Sequence, residues 1–218
     1  SEAMEAEDTK INVSVSGISG NPYIEVAGIY QRNGAITYTG ASTEITVKNS
    51  LAADEEGESC AYGYVIENPL GEANNQRRAI FSADQTSITV QSQNVDALGV
   101  MFSADATDVP QMLFERGKAT VKVTNESLSS GAYGFYIAHD SDNDPSSGQT
   151  GTVTVNEGAE LAIDVSGAHA FGIYADDGEF VSDGKLTVDA HSNAADAEVY
   201  GIYATENAKL TFNGDTEI

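Results

Sequence analysis

One cysteine, Cys60, stands in a chain of 218 residues. It excludes an internal disulfide framework and a cysteine-based zinc site. Basic residues are scarce, with 10 Lys+Arg against 34 Asp+Glu and a formal net charge of −24. Polyanion binding draws on Lys and Arg that release counterions, so nucleic acid is excluded as a partner and an anionic bilayer is disfavoured. There is no tryptophan, and there are only four prolines. No apolar run approaches the roughly 18 residues that cross a bilayer; the longest are of the size of Ala61 to Ile66, and no membrane insertion by this segment is expected. Residues 1–10 have neither a basic n-region nor an apolar h-region and read as an N-terminal tail or a remnant of expression.

What the chain does have is glycine, 21 residues of it, with 10 tyrosines and 7 phenylalanines. The hydrophobic share of 40% is that of a chain able to bury a core rather than of a disordered acidic tail. Self-similarity is the strongest signal. A glycine inside an apolar strand recurs as VAGIY (Gly28), AYGYV (Gly63), ALGVM (Gly99), AYGFY (Gly134), AFGIY (Gly172) and VYGIY (Gly201), at spacings of 35, 36, 35, 38 and 29 residues. A second marker alternates with it: Ile11-Asn-Val13, Ile45-Thr-Val47, Ile88-Thr-Val90, Val121-Lys-Val123, Val153-Thr-Val155, Leu186-Thr-Val188 and Leu210-Thr-Phe212. The apolar-polar-apolar order is a period of two, hence strand. No window carries a convincing 3.6-residue apolar stripe, so helix content is expected to be very low.

Strands that recur in this way and cannot each bury their own apolar face must stack on their counterparts. The expected fold is all-β: a parallel β-helix, or β-solenoid, over residues 11–218 with six repeats of about 29–38 residues. Pro69, Pro110 and Pro145 all fall between a glycine strand and the next Thr strand. Proline cannot donate to a ladder, so this arc is expected to project as loops from one side.

Aligned on the glycine, the preceding position reads Ala27, Tyr62, Leu98, Tyr133, Phe171, Tyr200, and the following one Ile29, Tyr64, Val100, Phe135, Ile173, Ile202. Being two apart, both columns are assigned to the core. The glycine, the small residues two before it and Tyr30, Val65, Met101, Tyr136, Tyr174 and Tyr203 two after it would then face outward. Tyr30, Tyr136, Tyr174 and Tyr203 are the candidate ligand-binding residues, as an exposed apolar stripe of this length marks an interface. The competing reading is a bulge or corner at the glycine that turns both flanking sets inward, or loops folded over the ladder. In the second marker the outward file is expected to run Asn12, Thr46, Thr89, Lys122, Thr154, Thr187, Thr211. Lys122 breaks the threonine array, which favours a solvated face over an ice-binding one.

Asp140, Asp142 and Asp144 occupy positions 1, 3 and 5 of a calcium-type loop and are the candidate Ca2+ ligands. Pro145 stands where such a loop needs glycine, so a plain acidic turn competes and no resident cofactor is expected. Asp176-Asp177 with Glu179 follows a core strand as a catalytic pair would. Beyond Val123, however, only Lys185 and Lys209 could bind an acidic polysaccharide. Cys60 has no nearby histidine and no GxSxG sequence occurs, so no nucleophilic site is read. Asn12-Val-Ser14 and Asn125-Glu-Ser127 match the glycosylation sequon.

The repeated AYGFYIA, AFGIYAD and VYGIYAT, each followed after a turn by GTVTV, GKLTV or AKLTF, resemble the passenger domain of a Gram-negative autotransporter (type V secretion) of the pertactin-like kind. The resemblance covers about Lys10 to Ile218. It implies a right-handed parallel β-helix, export, and display at the bacterial cell surface by a C-terminal translocator barrel that these residues do not include. The function so implied is non-catalytic and adhesin-like, with a host or bacterial surface protein or glycan, or a second copy of the chain, as partner. A glycan-degrading β-helix enzyme and a stalk without binding of its own are the alternatives.

Overall fold

The computed structural model describes residues 4–18, 25–52, 59–68, 77–104, 109–138, 150–192, 194–205 and 207–218. The fold is all-β, with no helix among the described residues and every strand pairing parallel to its neighbours.

The six glycine motifs form one six-stranded sheet: β2 (Glu25–Gln31), β4 (Cys60–Asn68), β7 (Asp96–Ala104), β10 (Gly131–Ile137), β13 (His169–Asp176) and β16 (Glu198–Thr205), each paired with the next in that order. The remaining strands form a twelve-stranded sheet centred on β3 (Ala35–Ala52). On one side of β3 lie β5 (Arg78–Phe81), β8 (Gln111–Phe114), β11 (Thr152–Val155), β14 (Glu179–Ser182) and β17 (Lys209–Phe212). On the other side lie β6 (Gln85–Ser92), β9 (Gly117–Asn125), β12 (Ala159–Ser166), β15 (Lys185–His191) and β18 (Thr216–Glu217). β1 (Met4–Ile18) pairs along nearly all of β3, with a register shift between Glu7 and Thr9. Residues 4–10, expected as tail, are therefore strand.

Along the chain a glycine strand, a short strand and a longer strand follow in turn, and from β4 onward each strand pairs with the one three places later. The main core is one cluster to which every strand but β18 contributes. The longer ones alternate cleanly, β12 reading buried at Ala159, Leu161, Ile163 and Val165 with Glu160, Ala162 and Asp164 between them less buried. The start of β3 and the short strands contribute stacked rings, with Tyr38 on Phe81 at 4.8 Å and Phe81 on Phe114 at 5.2 Å between centroids.

The sequence markers need one correction here. Val153-Thr-Val155 and Leu210-Thr-Phe212 lie in the short strands β11 and β17, and the true counterpart of Val121-Lys-Val123 is Ile163-Asp-Val165. Leu186-Thr-Val188 is in the right set but two residues out of step, since Val188 pairs Ile163. The outward file accordingly runs Asn12, Thr46, Thr89, Lys122, Asp164, Asp189. All three triplets share the apolar-polar-apolar pattern, and a period of two carries no information about which strand set owns it.

Candidate functional site: an aromatic ridge outside the glycine sheet

Strict alternation fails at the glycine. In β10, Ala132, Gly134, Phe135 and Ile137 are buried while Tyr133 and Tyr136 stand partly open. Glycine and the residue after it thus both face inward, and the outward set is the residue before the glycine and the one two after. This corrects three columns, the glycine among them. Tyr62, Leu98, Tyr133, Phe171 and Tyr200, expected in the core, lie on the outer side of the sheet, where Tyr62, Leu98 and Phe171 are buried and Tyr133 and Tyr200 are open, whereas Val26, Ala61, Ala97, Ala132 and Ala170, expected outside, line the main core. The expectation holds for the column that includes Tyr64 and Phe135, both fully buried, and for the outward column of Tyr30, Tyr136, Tyr174 and Tyr203.

The cause is space. A Cβ on Gly28 would lie 2.5 Å from Ile45 Cγ2 and 2.7 Å from the Gly63 carbonyl oxygen. Gly63, Gly99, Gly134 and Gly172 meet the same two obstacles, a branched side chain of the longer strand and the carbonyl of the next glycine. Only a residue without a side chain fits, and the ladder passes over it: the registers pair Ala27 with Tyr62 and Ile29 with Tyr64.

The two outward columns build a herringbone. In one file Tyr133 stacks on Phe171 at 5.0 Å and Phe171 on Tyr200 at 5.4 Å; in the other Tyr136 stacks on Tyr174 at 5.0 Å and Tyr174 on Tyr203 at 5.1 Å. Between files the rings meet edge to face, as Tyr133 with Tyr136 at 81° and Phe171 with Tyr174 at 81°. Toward the N-terminus the same files continue as Leu98 with Met101, Tyr62 with Val65, and Ala27 with Tyr30. Tyr62, Val65 and Leu98 form a second apolar cluster, against which Cys60, Met101, Tyr133 and Tyr136 pack. Cys60 is therefore a packing residue at the edge of the ridge. Burial pushes the Tyr136 phenol up to about 12, helped by Tyr174 and the charge of Asp176. It raises Tyr133 too, with Asp96 the next contributor.

Tyr30 stands apart from the other candidates. It is 44% exposed, with Arg32 5.7 Å from its ring centroid and Arg32 in turn bonded to Glu67 at 2.6 Å. Its pKa rises to about 12 through partial burial first and Glu67 second.

The other sequence candidates do not join the ridge. Asp140, Asp142 and Asp144 lie outside the described residues. Asp176 accepts a hydrogen bond from the Thr205 hydroxyl at 3.0 Å, and Asp177 accepts from the Asn207 backbone and side-chain nitrogens at 3.2 and 2.6 Å. The acidic pair thus ties neighbouring turns of chain together. The sequon residue Asn125 is buried and spends its side-chain nitrogen on the Val95 and Gly131 carbonyls, which leaves Asn125 no amide for a glycan. Among the described residues no group of three or more His, Cys, Asp or Glu is arranged to hold a metal ion.

Comparison with known proteins returns no matching family model, no curated relative and no solved structure.

Proposed function

We propose that this chain is a segment of a surface-displayed bacterial passenger of the autotransporter type. In this reading its turns coil into a right-handed parallel β-helix, and the outer ridge binds a partner at the cell surface without catalysis. The observation that carries the binding role is the ridge itself. It is a double file of apolar side chains outside the main core, buried at Tyr62, Val65, Leu98 and Phe171 and partly or fully open at Tyr30, Met101, Tyr133, Tyr136, Tyr174, Tyr200 and Tyr203. The open part, led by Tyr133, Tyr136, Tyr174, Tyr200 and Tyr203, is a run of apolar side chains on one face of the kind that marks a docking surface. Pairing of each strand with the one three places later supports a coil over a barrel of parallel strands. Asp176 and Asp177, engaged by Thr205 and Asn207, support the non-catalytic reading over glycan cleavage.

The reading is tested with beads coated with the chain and applied to host-cell and bacterial monolayers. Replacing Tyr136, Tyr174 and Tyr203 together by serine is expected to lower adhesion at least tenfold, while Thr46→Ala with Thr89→Ala on the other sheet leaves it unchanged. Equal adhesion of both variants would remove the ridge from the function.

A further inference from the structure

Positive charge is confined to one of the two sheets, while carboxylates stand in both. The six glycine strands contain Glu25, Glu67, Asp96, Asp176 and Glu198 and not one lysine or arginine. Every strand-borne lysine and arginine, namely Lys10, Lys48, Arg78, Lys118, Lys122, Lys185 and Lys209, lies in the twelve-stranded sheet. Several of these are neutralised across the ladder, as Lys10 with Glu44 at 2.6 Å, Lys118 with Glu160 at 3.1 Å and Lys122 with Asp164 at 2.5 Å.

On the glycine sheet the carboxylates border the ridge on both sides. Glu25, Asp96 and Glu198 precede the rings, in one file with Cys60, Gly131 and His169, and Glu67 and Asp176 follow them. The basic side chains facing them are Arg32, bound to Glu67, and His169, whose Nδ1 lies 3.4 Å from Glu198. Asp96 accepts one bond from the Gly131 amide at 2.6 Å and Asp176 one from Thr205, so each has acceptor capacity left. The phenols feel these carboxylates: Asp96 and Asp176 both add to the burial that raises Tyr136.

The ring faces, meanwhile, are spent on one another, at 5.0 to 5.4 Å within each file. A sugar that docks by stacking needs an open face and finds edges here. An arginine- or lysine-bearing chain needs apolar footing, neutral phenol oxygens and carboxylates, and finds all three.

Resting on the reading of the ridge as a binding surface, we infer that its occupant is a cationic polypeptide, whose apolar side chains lie on the herringbone and whose guanidinium or ammonium groups meet Asp96, Asp176 and their neighbours on the rims. The electrostatic part sets encounter rate and orientation, and the rings supply the contact area.

The test titrates the full chain with a fluorescent peptide of alternating arginine and leucine, and with a neutral β-linked glucose oligosaccharide. Both are repeated on three variants whose folding is checked by circular dichroism. Asp96→Asn with Asp176→Asn is expected to weaken peptide binding about tenfold, and Tyr174→Ser by a similar factor. Asp189→Asn with Glu217→Gln, which removes the same charge from the other sheet, is expected to change it less than twofold. Equal loss from both charge variants would mean that the peptide senses only total charge, and would overturn the inference. Preferential binding of the oligosaccharide, lost in Tyr174→Ser, would overturn the cationic partner and leave the ridge as a binding surface. Binding of neither probe, with bead adhesion also insensitive to the ridge tyrosines, would overturn both.

Discussion

A methyl group at position 134 would strike Ile163 and the Gly172 carbonyl at once, and neither obstacle is the free end of a flexible side chain. Overpacking of that kind costs about 1–3 kcal/mol, and Gly134→Ala is expected at the upper end in a chemical denaturation series. Gly158 makes the contrast: its φ is +84° and nothing lies within 4 Å of its missing Cβ. There the only penalty is the left-handed backbone, so Gly158→Ala should lose about 1 kcal/mol. A larger loss at 158 than at 134 would contradict the account of the glycine motif. The tyrosines make a second prediction at this scale. Burial pushes Tyr38 and Tyr136 up to about 12 and Tyr64 well above the ordinary phenol value of 10. Folding therefore favours the neutral phenols. Their contribution is complete below about pH 10 and is lost as the pH climbs toward about 12. Phenolate absorbance and circular dichroism should change together in that window; ionisation of all ten tyrosines near pH 10 with the fold intact would be the contrary result.

Strands differ in how much of themselves they show in sequence. The longer strands β6, β9 and β12 alternate over eight or nine residues, and β6 and β9 are legible as markers from period alone. The short strands β5, β8, β11, β14 and β17 have four residues each, too few for a period to declare itself. Two of them, β11 and β17, carry the same triplet as the longer set, and β12 has Asp164 where the marker has threonine. Ring stacking beneath β3, β5 and β8 is equally hidden, because Tyr38, Phe81 and Phe114 come together only through register. One of those elements carries a buried polar chain that sequence does not announce. The Tyr64 hydroxyl lies 3.1 Å from that of Tyr38 and donates to Gln31 Oε1 at 2.6 Å, and Gln31 in turn donates to the Gly34 and Arg78 carbonyls. Tyr64→Phe keeps the ring but leaves the Gln31 oxygen without this donor, which costs about 1–3 kcal/mol. Thermal or denaturant unfolding should register that loss, and a variant as stable as the parent would mean that the Gln31 oxygen finds another donor.

At the scale of the whole molecule, the six aligned glycine motifs fix the order and register of one entire sheet. Every pairing expected between Ala27, Tyr62, Leu98, Tyr133, Phe171 and Tyr200 is present. What alignment could not supply is which way those residues point, because an inward glycine breaks the rule of two that the expectation used. A signal was available: a glycine recurring where a side chain should pack means that something already fills the space, here Ile45, Ile88, Val121, Ile163 and Val188. The consequence is large, since the corrected facing turns a single file of tyrosines into a double aromatic ridge and draws Tyr133, Phe171 and Tyr200 into the candidate site. The ridge thus rests on one geometric claim, which thiol labelling tests directly. With Cys60→Ser as background, single changes Ala132→Cys, Tyr133→Cys, Phe135→Cys and Tyr136→Cys are each exposed to a thiol reagent under native conditions. Rapid labelling at 133 and 136 with protection at 132 and 135 is the predicted result. Labelling at 132 with protection at 133 would restore plain alternation through the glycine and dismantle the ridge.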